Sequence, residues 1–155
     1  YKRQIMDRLR FSKRDRDYVL HLVYHHMFGY TRQWTDAAVR RFIRKVGQEN
    51  IADLFDLRLA DWFGNGTNYG FPAYLRTLHR RIDEEIARQN AFTVKDLAVD
   101  GHDVMATLGV PPGRVVGEVL DYLLEKVLEE PELNTRERLL TLIREKYDGV
   151  PKATT

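Results

Sequence analysis

The chain has 155 residues, 43% hydrophobic and 31% charged, a composition typical of a globular protein with a buried core and unlike that of a disordered segment. No run approaches the roughly 20 apolar residues that a membrane-spanning helix needs, and no apolar block of signal-peptide length begins the chain, so we expect a soluble, cytoplasmic protein. Cysteine is absent from the sequence, which excludes disulfides and thiolate metal sites.

Positive charge is concentrated in the first third of the sequence. Residues 1–45 contain 12 Lys or Arg against 4 Asp or Glu, a net charge of +8, whereas residues 46–155 contain 13 against 19, a net charge of −6. This asymmetry favours an anionic partner, although surface Arg is also common in ion-paired helices. The chain opens without Met and without a helix start signal, so we expect it to be a piece of a longer protein.

All the strong periodic patterns of the sequence have helical spacing, and we therefore predict an all-α protein. Ser12 and Thr35 are the predicted N-caps of two helices, which end at Gly29 and Gly47. Apolar residues at helical spacing predict the buried stripe of the second helix, which comprises Val39, Phe42, Ile43 and Val46. Four cations are predicted to face solvent on the opposite side of this helix: Arg40, Arg41, Arg44 and Lys45.

A third helix is predicted from about residue 48 to Trp62, before the glycine-rich loop 64–70. The next helix is predicted from Pro72 to about Asn90, because Leu75, Leu78, Ile82 and Ile86 recur at helical spacing. It is predicted to be a connecting helix between two parts of the chain.

The residues from 93 onward are predicted to form a small helical domain of their own. Asp100 is its predicted capping acid, the most regular apolar stripe runs from Val116 to Val127, and the last helix is predicted to stop at Gly149. We thus predict three parts, in chain order: a helical body, residues 1–66; a loop and connecting helix, residues 67–92; and a small tail domain, residues 93–155.

A few acidic and histidine side chains are candidates for chemistry, and no complete active site is recognisable. Asp61 lies on the apolar stripe of its helix, which predicts one of two arrangements. One is a buried ion pair with Arg58 beside a hydrogen-bonded core His, and the other is the remnant of a His/Asp metal site in which Asp61 is joined by His25 or His26. The ion pair is the preferred interpretation because the further ligands of a metal site are missing. We predict no catalytic residue in this chain, and His26 and Asp61 are weak candidates for a metal.

Two further acidic motifs are predicted to be structural. Asp15 and Asp17 have the Asp-x-Asp spacing of two-metal nucleotidyl transfer, but on a helix the two carboxylates diverge by about 200°. His102-Asp103 has the adjacent pair of an HD phosphohydrolase. Its setting after Asp100-Gly101 instead predicts a helix start, where the carboxylate accepts hydrogen bonds from backbone N–H groups.

Two groups of motifs carry a family resemblance. In residues 99–117, spaced Asp, Leu-Gly, Pro-Gly and Gly elements precede Leu120, Leu123-Leu124 and Asn134. The other group comprises residues 25–28, 34–47 and 53–61. Together they resemble the bacterial tRNA nucleotidyltransferases and poly(A) polymerases, the CCA-adding family. The first group resembles the C-terminal tail of that family, and the second resembles the HD-type helical body that some members carry between their catalytic head and tail.

The resemblance implies that the parent enzyme transfers nucleotides to the 3′ end of RNA, either from ATP alone or from ATP and CTP. The expected partner is RNA, at the acceptor end of tRNA. Mg²⁺ and ATP or CTP are expected for the catalytic head, and no cofactor is expected in this chain. The implied role of this chain is to hold the RNA, with phosphate contacts expected from Arg40, Arg41, Arg44 and Lys45.

The head motifs of that family are not present here in the family's order: a Gly-Ser turn, an Asp-x-Asp pair on a sheet and a base-reading helix. The chain alone is therefore expected to be inactive. Two other functions are compatible with the sequence. Residues 108–113 are also typical of a helix-hairpin-helix turn in a stand-alone nucleic-acid-binding or regulatory module. His26 and Asp61 would suit a metal-dependent HD phosphohydrolase. Bound metal, together with release of phosphate from nucleotides, would favour this third function.

Overall fold

Eight α-helices and three single turns of 3₁₀-helix form the regular structure of residues 2–66, 69–88 and 90–147, the part of the chain that the computed structural model describes. No strand occurs in these ranges, and the prediction of an all-α protein is confirmed. The helices are α1 (Lys2–Arg8), α2 (Lys13–His25), α3 (Asp36–Val46), α4 (Ile51–Gly64), α5 (Ala73–Ala87), α6 (Gly101–Leu108), α7 (Arg114–Glu129) and α8 (Arg136–Tyr147). The 3₁₀ turns are Gln48–Asn50, Val94–Asp96 and Pro131–Leu133.

Polar caps begin α2 and α3, as predicted. Ser12 Oγ accepts a hydrogen bond from the Asp15 N–H at 3.0 Å, and Thr35 Oγ1 accepts one from the Ala38 N–H at 3.1 Å. Gly47 ends α3 with φ +87°, and a Cβ added there would lie 2.8 Å from side-chain atoms of the two residues Glu49 and Asn50. Glycine therefore allows the sharp end of α3 that the sequence predicts.

The chain divides into two compact units, residues 1–83 and 84–155, and the division falls within α5. In the first unit, α2 packs against α1, α3 and α4. The apolar core of this unit comprises Met6, Leu22, Tyr30, Ala37, Val39, Phe42, Ile43, Val46, Ile51, Leu54, Phe55, Leu75, Leu78 and Ile82. The predicted stripe of α3 is thus buried in full.

In the second unit, α6, α7 and α8 pack against one another. The stripe of α7 buries Val116, Val119, Leu123, Leu124, Val127 and Leu128. Asn134 joins two connections of this unit, because its Oδ1 accepts from the Ala98 N–H at 2.8 Å and its Nδ2 donates to the Asp96 carbonyl at 2.9 Å. One amide side chain therefore links the segment before α6 to the segment before α8.

The helices differ from the prediction in three places: α1 is not predicted, and α2 and α5 end earlier than predicted. No start signal predicts α1, which packs on α2 with Asp7 Oδ1 at 2.5 Å from Arg16 Nη1. α2 ends at His25, four residues before Gly29. The His26 ring nitrogen Nδ1 forms a hydrogen bond with the Val23 carbonyl oxygen in the last turn of this helix. α5 ends at Ala87, where Asn90 binds Glu85 with its side chain at 2.6 Å.

The predicted stop of the last helix at Gly149 lies outside the described residues. Among the described residues, no helix is long and apolar enough to cross a membrane.

Candidate nucleic-acid interface

A groove of about 430 Å³ opens between the end of α2 and α3, in the positively charged first third of the chain. The last turn of α2 forms one side, residues 26–29 continue it, and one face of α3 forms the other side. The residues that line the groove are Tyr24, His25, Met27, Phe28, Gly29, Trp34, Ala38, Arg41, Phe42 and Lys45. Aromatic and cationic side chains therefore share one concave surface.

The cations of the groove lie on a single face of α3. Ala38, Arg41 and Lys45 follow at intervals of three and four residues, which places them on the same side of the helix. Arg41 and Lys45 are exposed, whereas Phe42 beside them is buried. Two positive charges thus lie one helical turn apart along the groove.

Arg40 does not share this face. Its side chain is 6% exposed, so the prediction that Arg40 faces solvent is wrong. At the helical spacing of about 100° per residue, Arg40 lies only about 60° from Ile43 and therefore at the edge of the buried stripe. Arg44 is half-buried and does not line the groove. Of the four predicted cations, the structure brings Arg41 and Lys45 together.

The wall formed by residues 26–29 is held in place by α3 and α4. The Phe28 ring packs edge to face against Phe42, with centroids 5.0 Å apart, and lies 5.8 Å from Phe55. Arg58 Nη1 lies 3.2 Å from Met27 Sδ, and its guanidinium carbon is 5.9 Å from the centre of the Phe28 ring. These contacts fix the wall from behind and leave Met27 open to solvent on the groove side.

His25 lies in the groove beside groups that carry or can acquire positive charge. Its ring centroid is 4.5 Å from that of His21 and 4.9 Å from that of Tyr24. Burial, together with the charges of His21 and Lys45, lowers the pKa of His25 below its ordinary value. The His25 imidazole is therefore neutral at pH 7, and the lasting positive charge of the groove comes from Arg41 and Lys45.

The aromatic part of the groove is not predicted by the sequence patterns. Tyr24 is 78% exposed and Met27 is 68% exposed, which is unusual for two such residues on one concave surface. The direction of Met27 depends on the end of α2, because a helix continued to Gly29 would turn residues 26–28 differently. The signal available in the sequence is the dense run of aromatic and histidine residues from Tyr24 to Tyr30.

One protein-family model matches nearly the whole chain, including all the helices of the groove. The model of the family described as tRNA nucleotidyltransferase domain 2 matches residues 2–143. The chain belongs to this family. The match confirms the resemblance to tRNA nucleotidyltransferases that the motifs of the two units carry. No curated protein and no solved structure matches the chain.

In the ranges that the structure describes, the chain brings together few ligands for a metal ion. No group of three or more His, Asp or Glu side chains there could hold a metal. Asp61 Oδ2 lies 3.3 Å from Arg58 Nη1, which confirms the predicted ion pair, although the Asp61 side chain is 39% exposed and not buried. His26 Nδ1 lies 2.7 Å from the Val23 carbonyl oxygen. The described residues therefore do not bring together the set of oxygen ligands that a catalytic Mg²⁺ ion needs.

The acidic motif of residues 100–103 begins a helix in this family member, as predicted. Asp100 Oδ1 accepts hydrogen bonds from the His102 and Asp103 N–H groups at 2.8 and 3.0 Å, and Asp103 Oδ2 accepts one from the Asp100 N–H at 3.1 Å. Arg136 pairs with both carboxylate oxygens of Asp103 at 2.6 Å. Its hydrogen bond holds the pKa of Asp103 below the ordinary value, so this carboxylate has a structural role.

Proposed function

We propose that this chain holds RNA for a nucleotidyltransferase of its family, and that the groove between α2 and α3 contacts the RNA backbone. The observation that carries the proposal is the pair of exposed cations, Arg41 and Lys45, one turn apart in one groove of a family member. Residues at this spacing have Cβ atoms about 5–6 Å apart, so both can contact one strand of nucleic acid. Guanidinium and ammonium groups are the usual partners of phosphate oxygens.

The charge distribution supports the same surface. Residues 1–45 carry a net charge of +8, and this excess attracts a polyanion from beyond contact distance. Contacts to phosphates are independent of base sequence and weaken strongly as salt increases. The proposed role is therefore to hold and orient RNA without selecting its sequence.

The reaction that this role serves would be the addition of nucleotides to the 3′ end of RNA, either from ATP alone or from ATP and CTP. The acceptor end of tRNA is the proposed partner. Mg²⁺ and the nucleoside triphosphate would be held by head motifs that are not found in this sequence. CCA addition and poly(A) addition both need such an RNA-holding surface, so the groove serves either reaction.

The salt dependence of tRNA binding tests the proposal. In Arg41→Ala/Lys45→Ala, loss of two phosphate contacts should weaken binding and flatten the slope of log Kobs against log salt by about 1.4 to 1.8, at about 0.7 to 0.9 per contact. Fluorescence anisotropy titrations of labelled tRNA over a range of salt concentrations measure both quantities.

A matched control removes two exposed cations from the other unit, Lys95→Ala/Arg144→Ala. This variant has the same change in net charge and should keep the wild-type slope. If the control loses affinity and slope while the groove variant keeps them, the RNA-binding surface lies in the second unit and the proposal is wrong.

A further inference from the structure

The groove offers an aromatic surface as well as cations. Tyr24 and Met27 are its most exposed apolar side chains, and the half-buried rings of Phe28 and Trp34 continue the same lining. A single exposed apolar residue needs no explanation, but here several occupy one concave surface beside two cations. Phosphates need only the cations, so a ligand that also covers these apolar groups must have an apolar part.

The Tyr24 ring is positioned by a series of contacts that ends on α3. It packs at 89° against the His25 ring, the His25 ring packs at 64° against His21, and His21 Nε2 lies 2.6 Å from the Val46 carbonyl oxygen. The rings pack edge to face in both contacts, and Tyr24 remains 78% exposed. A ring held in this way loses little conformational freedom when a flat ligand stacks on it.

Unpaired nucleotides combine the two chemistries that the groove offers. A base within a duplex is stacked and paired, so an aromatic side chain reaches its face only when the base is unpaired. Stacking on an aromatic ring with the neighbouring phosphates on cations is the common way in which proteins hold single strands. The neutral His25 beside Tyr24 adds no charge that would draw a phosphate onto the ring face.

We infer that the groove holds a single-stranded segment of RNA, with one unpaired base stacked on Tyr24 and the flanking phosphates on Arg41 and Lys45. This inference rests on the proposed function, because it assumes that RNA occupies the groove. It adds the class of RNA: an unpaired strand, read without preference for the base, since every base has a flat face.

The test compares two RNA hairpins of identical stem, one with a single-stranded 3′ overhang and one with a blunt end. Tyr24→Leu keeps an apolar side chain and removes the ring. We expect its affinity for the overhang hairpin to fall by about 5- to 150-fold, the range that loss of one base stack gives. Affinity for the blunt hairpin and the slope against salt should stay at wild-type values, because the phosphate contacts are kept.

Two further variants and a spectroscopic readout complete the test. Tyr24→Phe keeps the ring and should retain the affinity for the overhang, and Tyr69→Leu removes an exposed aromatic side chain that does not line the groove. 2-Aminopurine in the overhang should be quenched on binding to wild type and to Tyr24→Phe, and less so on binding to Tyr24→Leu. Circular dichroism confirms that each variant is folded.

The outcomes separate this inference from the proposed function. If Arg41→Ala/Lys45→Ala weakens binding of both hairpins while Tyr24→Leu binds both as wild type does, the groove holds RNA through phosphates alone and the stacking inference is wrong. If the charge variant binds both hairpins as wild type does, the proposed function itself fails. Equal losses for both hairpins in Tyr24→Leu would also contradict stacking on an unpaired base.

Discussion

Arg40 and Arg41 are neighbours in the sequence and have opposite environments. The Arg40 side chain is 6% exposed at the edge of the α3 stripe, whereas Arg41 is exposed and lines the groove. Consecutive residues are separated by about 100° around the helix, which is enough to place the Arg40 side chain at the core and the Arg41 side chain in solvent. The same residue type therefore serves the fold at one position and, in the proposed function, the ligand at the next.

This difference predicts opposite effects of two alanine substitutions. Arg40→Ala should destabilise the protein by about 1 to 3 kcal/mol, because it removes a buried side chain from the edge of the core. Arg41→Ala should change the free energy of unfolding by less than about 0.5 kcal/mol, as is usual for an exposed residue. Urea denaturation followed by circular dichroism measures both values. Equal destabilisation by the two substitutions would contradict the environments described above.

At the scale of the helix, sequence signals define starts better than ends. The N-caps Ser12, Thr35 and Asp100 act through side-chain atoms that bind N–H groups two or three residues away, so the signal is local. The end of α2 at His25 instead depends on where the following turn packs, and Phe28 in that turn is held by rings of α3 and α4. Ends of this kind are set by contacts distant in sequence.

The start of α6 gives a prediction for acid stability. Arg136→Ala should raise the pKa of Asp103 towards its ordinary value of 3.8, because the hydrogen bond from Arg136 holds it lower. The lowered pKa means that the Asp103 carboxylate stabilises the fold at pH values above 3.8 and that this contribution is lost as the pH falls through the folded-state pKa. The variant should therefore lose less stability than wild type on acidification.

Carboxyl titration by NMR, with urea denaturation at neutral and acid pH, measures these changes. Arg144→Ala, which removes an exposed arginine from the same helix, should leave the titration of Asp103 as in wild type. An Asp103 pKa that is the same with and without Arg136 would show that the hydrogen bonds of the helix start alone hold it low.

At the scale of the whole molecule, two helical units carry a family match that spans residues 2–143. Neither unit contains, among its described residues, a group of three or more His, Asp or Glu side chains able to hold a metal. The Asp15 carboxylate accepts a hydrogen bond from Ser12 in a helix cap, while Asp17 pairs with Arg16 at 3.3 Å. The Asp-x-Asp spacing thus serves a helix start and its neighbouring ion pair.

We predict from the missing head motifs of the family that the chain by itself does not extend RNA. We expect no incorporation of labelled ATP or CTP into tRNA in the presence of Mg²⁺, because nucleotidyl transfer needs carboxylates that share a metal ion beside the triphosphate. A nucleotidyltransferase with a complete catalytic head serves as the positive control. Extension of the 3′ end by the purified chain above background would show that it contains an active site.

The sequence by itself determines the helical class, most helix starts and the main buried stripes, because 3.6-residue periodicity and capping are local properties of the chain. It also predicts the Asp61–Arg58 pair, whose members are one turn apart. Only the tertiary structure decides that Arg41 and Lys45 share a groove with Tyr24 while Arg40 is buried. A groove is formed by two helices and the turn between them, and their relative placement depends on contacts such as Phe28 with Phe55, 27 residues apart in the sequence, that no local pattern encodes.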